Sequence, residues 1–275
     1  MNWNWENLTS PDFTEAVQKS GGVCILPLGV IERHGDHLPL GTDLLMIRSL
    51  AERAVLREPA VIFPPYYLTQ IQENKNYPGT IAIRSSLQFE LLDAVCEEIA
   101  RNGMTKILLV NGHGGNEFLL PQFMFDRLER PRPYTAYLVR LSGWMEAGTR
   151  DPGWKERMQS AYDYHAGEIE TSAMLAAHPD KVRMDRVGPG TEPRGHLAHL
   201  PHVMTSIWWY ADYPEQIAGD ARPATAEKGE FLMERFVDRL AGIIRSVRND
   251  TRTAELEREY HNAARSKEKS PHCGA

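Results

Sequence analysis

Four short apolar runs punctuate the first half of the chain, at residues 23–30, 61–68, 106–110 and 134–141. Each is rich in branched or aromatic residues and bounded by Gly, Pro or polar positions, the pattern of a strand buried on both faces. Between them the period lengthens. Residues 43–57 place Leu44, Ile47, Leu50, Ala51 and Ala54 at helical spacing. Residues 87–102 do the same with Leu91, Leu92, Val95, Cys96 and Ile99, and Gly103 follows as a stop. Strands alternating with helices predict an α/β fold with a mostly parallel sheet covered on both faces. Ligands in such folds collect beyond the carboxyl ends of the strands.

The second half is looser. Residues 151–220 mix Pro, Gly and aromatics around one clear helix at 168–177, with long connections suited to lining a pocket. Residues 224–247 form a strongly amphipathic helix carrying Phe231, Leu232, Phe236 and Leu240 on one side. Residues 1–250 therefore read as a single domain. Residues 251–275 read as a charged tail, with an exposed helix at 253–269 and a solvated appendage as its simplest interpretation.

Composition narrows the classes. The 275 residues are 42% hydrophobic and 25% charged, enough for a sizeable core. A formal charge of −6 and a pI near 5.9 weigh against a nucleic-acid surface. No apolar stretch approaches the roughly 18 residues that cross a bilayer. The first residues lack a basic region and an apolar core, so no signal peptide is expected. Cys24, Cys96 and Cys273 are scattered thiols with no disulfide framework, which fits a reducing cytoplasm.

The candidate chemistry sits after two of the strands. Glu32 and His34 are two apart, so at an extended strand end both side chains point the same way. The Gly- and Pro-rich loop that follows can bring Asp43 back toward them, although Asp43 also opens a helix and reads as a cap. His37 alone reads as a surface imidazole. After the third run comes Asn111-Gly112-His113-Gly114-Gly115-Asn116, a turn that matches neither common nucleotide-binding signature. Its glycines allow close backbone approach, Asn116 reads as the cap of the next helix, and His113 at the apex reads as a metal ligand. Carboxylate oxygen and neutral imidazole together suit a divalent metal, which can make hydroxide from water near neutral pH. Later, His165 precedes a helix on which Glu168 and Glu170 lie about 200° apart, so only one of the two faces inward. His196, His199 and His202 read as surface or pocket histidines, since Gly195 and Pro201 interrupt any helix that would align them.

Several motifs in order resemble the creatininase (creatinine amidohydrolase) family. They are residues 26–29, 32–39, 41–43, 78–80, 111–116, 165–172, 219–220 and 224–229, and the likeness spans residues 21–247. The resemblance implies a three-layer α/β/α sandwich and two divalent ions, zinc or manganese, bridged by Asp43. It places Glu32, Asp43 and His113 on one ion and His34 with Asp43 on the other, and it implies a homo-oligomer, often a hexamer. Two departures stand out. Creatinine-hydrolysing members carry a metal-binding Glu where this chain has Gly115, so another acid, Glu170 first, is expected on the second ion. They also carry a ring-clamping Trp where Ala161 stands.

The expected activity is hydrolysis of a small polar, cyclic amide. His165 is the expected proton shuttle, with Glu170 beside it, and Gly114, Gly115, Asn116, Tyr162 and Tyr164 are expected to contact substrate. Aromatic walls could come from Trp144, Trp208 or Trp209. Ring-opening carbon–carbon hydrolysis of a keto-inositol, or deformylation of a formamide, is the alternative, and the polar loop 70–77 could meet a hydroxylated substrate. A non-catalytic metabolite binder is disfavoured by the intact ligand set.

Overall fold

Alternation along two strands decides how the layers form. β1 (Val23–Leu28) and β3 (Lys106–Asn111) run parallel and side by side, with Val23 opposite Lys106 and Leu28 opposite Asn111. Val23, Ile25, Leu108 and Val110 face one side, while Cys24, Leu26, Ile107 and Leu109 face the other. All eight are fully buried, so both faces need a cover. In the computed structural model, which describes residues 1–140, 151–160 and 162–265, β2 (Val61–Ile62) and β4 (Thr135–Val139) complete a parallel sheet of order β2-β1-β3-β4.

One cover comprises α1 (Ser10–Lys19), α3 (Ser85–Arg101) and α4 (Asn116–Asp126), through Ala16, Leu92, Cys96, Ile99, Leu120 and Phe123. The other comprises α2 (Thr42–Ala54), α6 (Glu168–Ala177) and α8 (Ala226–Asn249), through Ile47, Leu50, Ala173, Met233, Val237 and Leu240. The result is a three-layer α/β/α fold. The short helices α5 (Pro152–Arg157) and α7 (Trp208–Asp212) belong to the looser connections. α9 (Arg252–Arg265) contributes no buried residue, and it is tied to β4 where Thr135 donates to Glu257 at 2.7 Å. No helix among the described residues is long and apolar enough to cross a membrane.

The strand expected at 61–68 is cut to two residues. Pro64 and Pro65 offer no N–H to a ladder, so pairing stops there and resumes only as a bridge between Tyr66 and Leu28. The other strands and the long helices lie within a few residues of the sequence pattern. Trp144, Ala161 and Cys273 lie outside the described residues.

Candidate metal centre

Three segments deliver their side chains to the carboxyl end of β1 and β3. Glu32 and His34 follow β1, and His113 follows β3. Asp43 is the second residue of α2, whose first turn rests directly on the end of β1. That seat requires Gly29: a Cβ there would lie 2.6 Å from the Leu44 nitrogen. Glu170 comes from the first turn of α6.

The donor atoms converge. Asp43 Oδ1 lies 3.0 Å from His34 Nε2, and Asp43 Oδ2 lies 2.8 Å from His113 Nδ1. Glu32 Oε1 is 3.0 Å from the same His113 nitrogen, and Glu170 Oε2 is 3.7 Å from His34 Nε2. Glu32, Asp43 and His113 thus make one three-ligand group, and His34, Asp43 and Glu170 make a second that shares Asp43. Glu32, His34 and His165 make a third combination.

Neighbouring groups orient these ligands. Asn74 Nδ2 donates to Glu32 Oε2 at 2.7 Å, and the Thr80 hydroxyl holds the Asn74 backbone carbonyl at 2.9 Å. His34 Nδ1 faces the Glu32 carbonyl at 3.3 Å, which leaves Nε2 for the shared space. The Ala166 amide donates to Glu170 Oε2 at 2.6 Å.

Charge in this pocket is poised for a cation. Burial drives the Asp43 carboxyl up, but His34 and His113 more than reverse this and hold it well below its ordinary range. Burial acts likewise on Glu32, and His165, His113 and His34 outweigh it downward. Burial pulls His34 down, yet Asp43, Glu170 and Glu32 lift it to about 10. His113 is also raised, by Glu32 and Asp43 against burial. Protons therefore balance the carboxylates when no metal does. Glu32 Oε1 and Asp43 Oδ2 are nonetheless buried without a hydrogen-bond partner, the signature expected of oxygens reserved for an ion. The residues fit a divalent metal pair.

The remaining expected residues divide. His165 is buried at the cluster, its Nε2 donating to the Arg33 carbonyl at 3.0 Å and lying 3.8 Å from Glu32 Oε2. Glu168 turns away: its Oε2 accepts from the Gln159 and Ser160 amides at 2.9 and 2.7 Å, and Lys228 pairs with its other oxygen. Of the two acids on α6, Glu170 is the one that reaches the cluster. Gly114, Gly115, Phe118, Tyr164, Trp208 and Trp209 wall a cavity of about 210 Å³ that opens onto it. Tyr162 is not among the residues lining that cavity and stacks on Tyr213, with ring centroids 6.0 Å apart. Asn116 is fully buried and is neither helix cap nor free donor; its amide bridges Asn111 and the Gln70 backbone. His37 is buried rather than superficial and meets the Thr171 hydroxyl at 2.9 Å. His196, His199 and His202 are exposed and join no metal-ligand group among the described residues.

Three contributors were not picked out individually by the sequence. Asn74, which aims Glu32, stands in the polar loop 70–77, where substrate contact was expected and support of Glu32 was not. Glu73 of that loop enters the cavity. Asp163 is half-buried beside Glu170 and Glu168, and desolvation foremost pushes its carboxyl up to about 8; no spacing announces it.

Comparison with known proteins adds the family. The Creatininase (creatinine amidohydrolase) profile matches residues 6–244. A mycofactocin precursor peptide peptidase of Mycolicibacterium smegmatis is 32% identical over 82% of this chain and 85% of its own. A creatinine amidohydrolase of Pseudomonas putida is 28% identical over 86% and 94%. A 3-dehydro-scyllo-inosose hydrolase of Thermotoga maritima is 27% identical over 83% and 78%. Among solved structures, a Bacteroides fragilis protein provisionally described as a creatinine amidohydrolase superposes with a TM-score of 0.75 at 27% identity, covering 91% of this chain and 98% of that one. Creatininase structures in Zn–Zn and Mn forms share the fold, with TM-scores of 0.71 and 0.69 over 91% of this chain and all of theirs, at 23% and 24% identity. With nearly its whole length matched, the chain belongs to the creatininase family of hydrolases.

Proposed function

We propose that this protein is a divalent-metal-dependent hydrolase that breaks the C–N bond of a small, polar, cyclic amide, with the carbonyl carbon as the point of attack. Glu32, Asp43 and His113 would hold one ion, and His34, Asp43 and Glu170 the other, as Zn²⁺ or Mn²⁺. The observation that carries this reading is Asp43, whose two oxygens face imidazoles of two separate ligand groups. When bound, such a pair supplies a nucleophilic hydroxide near neutral pH and polarises the carbonyl. The chain's own groups do the rest. Asn74 and the Glu32 carbonyl keep Glu32 and His34 in register. His165, at the cavity wall, would hand a proton to the leaving nitrogen. Trp208, Trp209 and Tyr164 confine the substrate and limit water. Gly114 and Gly115 leave room beside His113, whereas Asn116 and Tyr162 act as supports.

A second reading, carbon–carbon hydrolysis in a hydroxylated keto ring, is favoured by one observation: the Glu73 carboxylate enters the cavity, where a polyol rather than a plain lactam would use it. Turnover of Zn²⁺- or Mn²⁺-loaded protein with lactams, formamides and keto-inositols separates the two. Activity on any of these that disappears with chelation is the expected result; activity that survives complete metal removal would overturn the metal role. We further infer a homo-oligomer, a hexamer by family likeness, working in a reducing cytoplasm. The buried free thiols Cys24 and Cys96 are in keeping with that compartment.

A further inference from the structure

α9 turns a polar side toward the domain and an apolar side toward solvent. Ala254, Glu257, Arg258, His261, Asn262 and Arg265 recur at helical spacing, so they share one face, and that face lines a cavity of about 410 Å³ against β4 and the connection before it. Leu256 and Tyr260, on the opposite side, are 47% and 48% exposed. A helix held by packing shows the reverse pattern. The helix also lies beyond residues 6–244, so the family likeness does not account for this wall. The cavity sits at the amino ends of β3 and β4, where Lys106 lies opposite Thr135. That is about 17 Å along β3 from the rim where the metal ligands gather.

Its walls carry excess positive charge in a chain whose formal charge is −6. Lys106, Arg127, Arg132, Arg258 and Arg265 meet only two carboxylates among the described lining residues, Asp250 and Glu257. Both acids are engaged by hydroxyls instead: Tyr137 donates to Asp250 at 2.8 Å and Thr135 to Glu257 at 2.7 Å. Lys106, Arg258 and Arg265 form no ion pair among the described residues. Arg132 is the anchored cation. Its side chain is only 5% exposed, and its Nη1 donates to both Asp93 oxygens at 2.6 Å. Its Nε is buried with no hydrogen-bond partner. The guanidinium is thus held still while its Nε–Nη2 edge stays unspent among the described residues. Such an edge matches two oxygens of one phosphate or carboxylate. Tyr134 and Tyr137 add aromatic surface to the same wall.

We propose that β4, the connection before it and α9 form a second binding site, for a small organic dianion bearing phosphate or carboxylate oxygens, and that its occupant fastens α9 to the domain. Lying on the rim opposite the metal centre, this occupant is not the substrate. Hydrogen-exchange mass spectrometry of the full-length, Zn²⁺-loaded protein tests the site. Phenyl phosphate and phthalate, titrated separately, distinguish a phosphate from a carboxylate occupant, and phenol is the neutral control. Peptides spanning residues 127–137 and 252–265 should gain at least about threefold protection with one or both anions and none with phenol. Arg258→Glu should shift the midpoint of that titration upward by at least about tenfold. Arg132→Lys, which keeps the charge but loses the fork, should weaken it by about tenfold. Metal per chain should stay unchanged in both variants. Arg132 also anchors Asp93, so if Arg132→Lys fails to fold, Arg258→Glu decides. Protection confined to the metal rim, no protection of α9 at about 20 mM of either anion, or a midpoint unmoved by Arg258→Glu overturns the site.

Discussion

Asp43 gives each carboxylate oxygen to a different imidazole, and no other side chain among the described residues is shared in this way by these two ligand groups. Replacing it should therefore cost more than replacing any ligand of a single ion. Asp43→Ala is expected to lower bound metal to well under one ion per chain and to cut kcat/KM by at least about a thousandfold, checked by elemental analysis beside turnover. Glu170→Gln should lose one ion only. Acid should weaken binding as well. In the metal-free protein Asp43, Glu170 and Glu32 push the His34 imidazole up to about 10 against burial, so at neutral pH an incoming ion is expected to displace its proton. Apparent affinity should thus rise with pH toward 10 and fall about tenfold per unit on acidification for each proton displaced. Calorimetry in buffers of different ionisation enthalpy would register the released proton. At this scale the cluster of candidate ligands was legible because acids and imidazoles gathered after apolar runs. Loop 70–77 stood out as polar, but nothing in it marked Asn74 and Glu73 as the side chains that turn inward. The choice between Glu168 and Glu170 also needed coordinates: both are first-turn acids, and only packing against Lys228 shows which is the support.

Elements set the spacing between these residues. α2 carries Asp43 at its first turn and reaches the β1 end only because Gly29 has no side chain. Gly29→Ala should push the helix away, costing about 1–3 kcal/mol by denaturant titration and loosening metal at the same time. α6 and α8 pack along each other, and Lys228 of α8 closes the buried charge of Glu168. Lys228→Met leaves that carboxylate without its cation, so a loss of about 3–5 kcal/mol is expected. Lys228→Met with Glu168→Gln should recover much of it, which separates the pair's role from simple packing. The buried strands were readable from composition because sheets covered on both faces need apolar residues at every position. β2 was overestimated, since an apolar count does not register the missing N–H groups of Pro64 and Pro65.

At the level of the molecule, a parallel sheet gathers its strand ends on one rim, and β1 and β3, adjacent in the middle, bring residues some eighty positions apart into contact. Ions bound at that rim bridge β1, β3, α2 and α6, so metal should act as a clasp on the fold. At a thousandfold excess over Kd, one bound ion would add about 4 kcal/mol. Chelation should accordingly lower the melting temperature by about 8–16 °C, and Asp43→Ala protein should melt at the lower value with or without chelator. The sheet, both helical covers and the rim location were available from sequence because each follows from periodicity and from the topology of parallel sheets. The walls of the cavity, drawn from α4, α7 and the loops between, follow from no period and appear only in three dimensions. Anomalous diffraction from crystals grown with Zn²⁺ addresses the shared carboxylate without relying on any substrate. Two peaks are predicted, one between Asp43 Oδ1, His34 and Glu170 and the other between Asp43 Oδ2, Glu32 and His113. A single peak, or none, with Asp43 still lying between the two imidazoles, would contradict the two-ion centre.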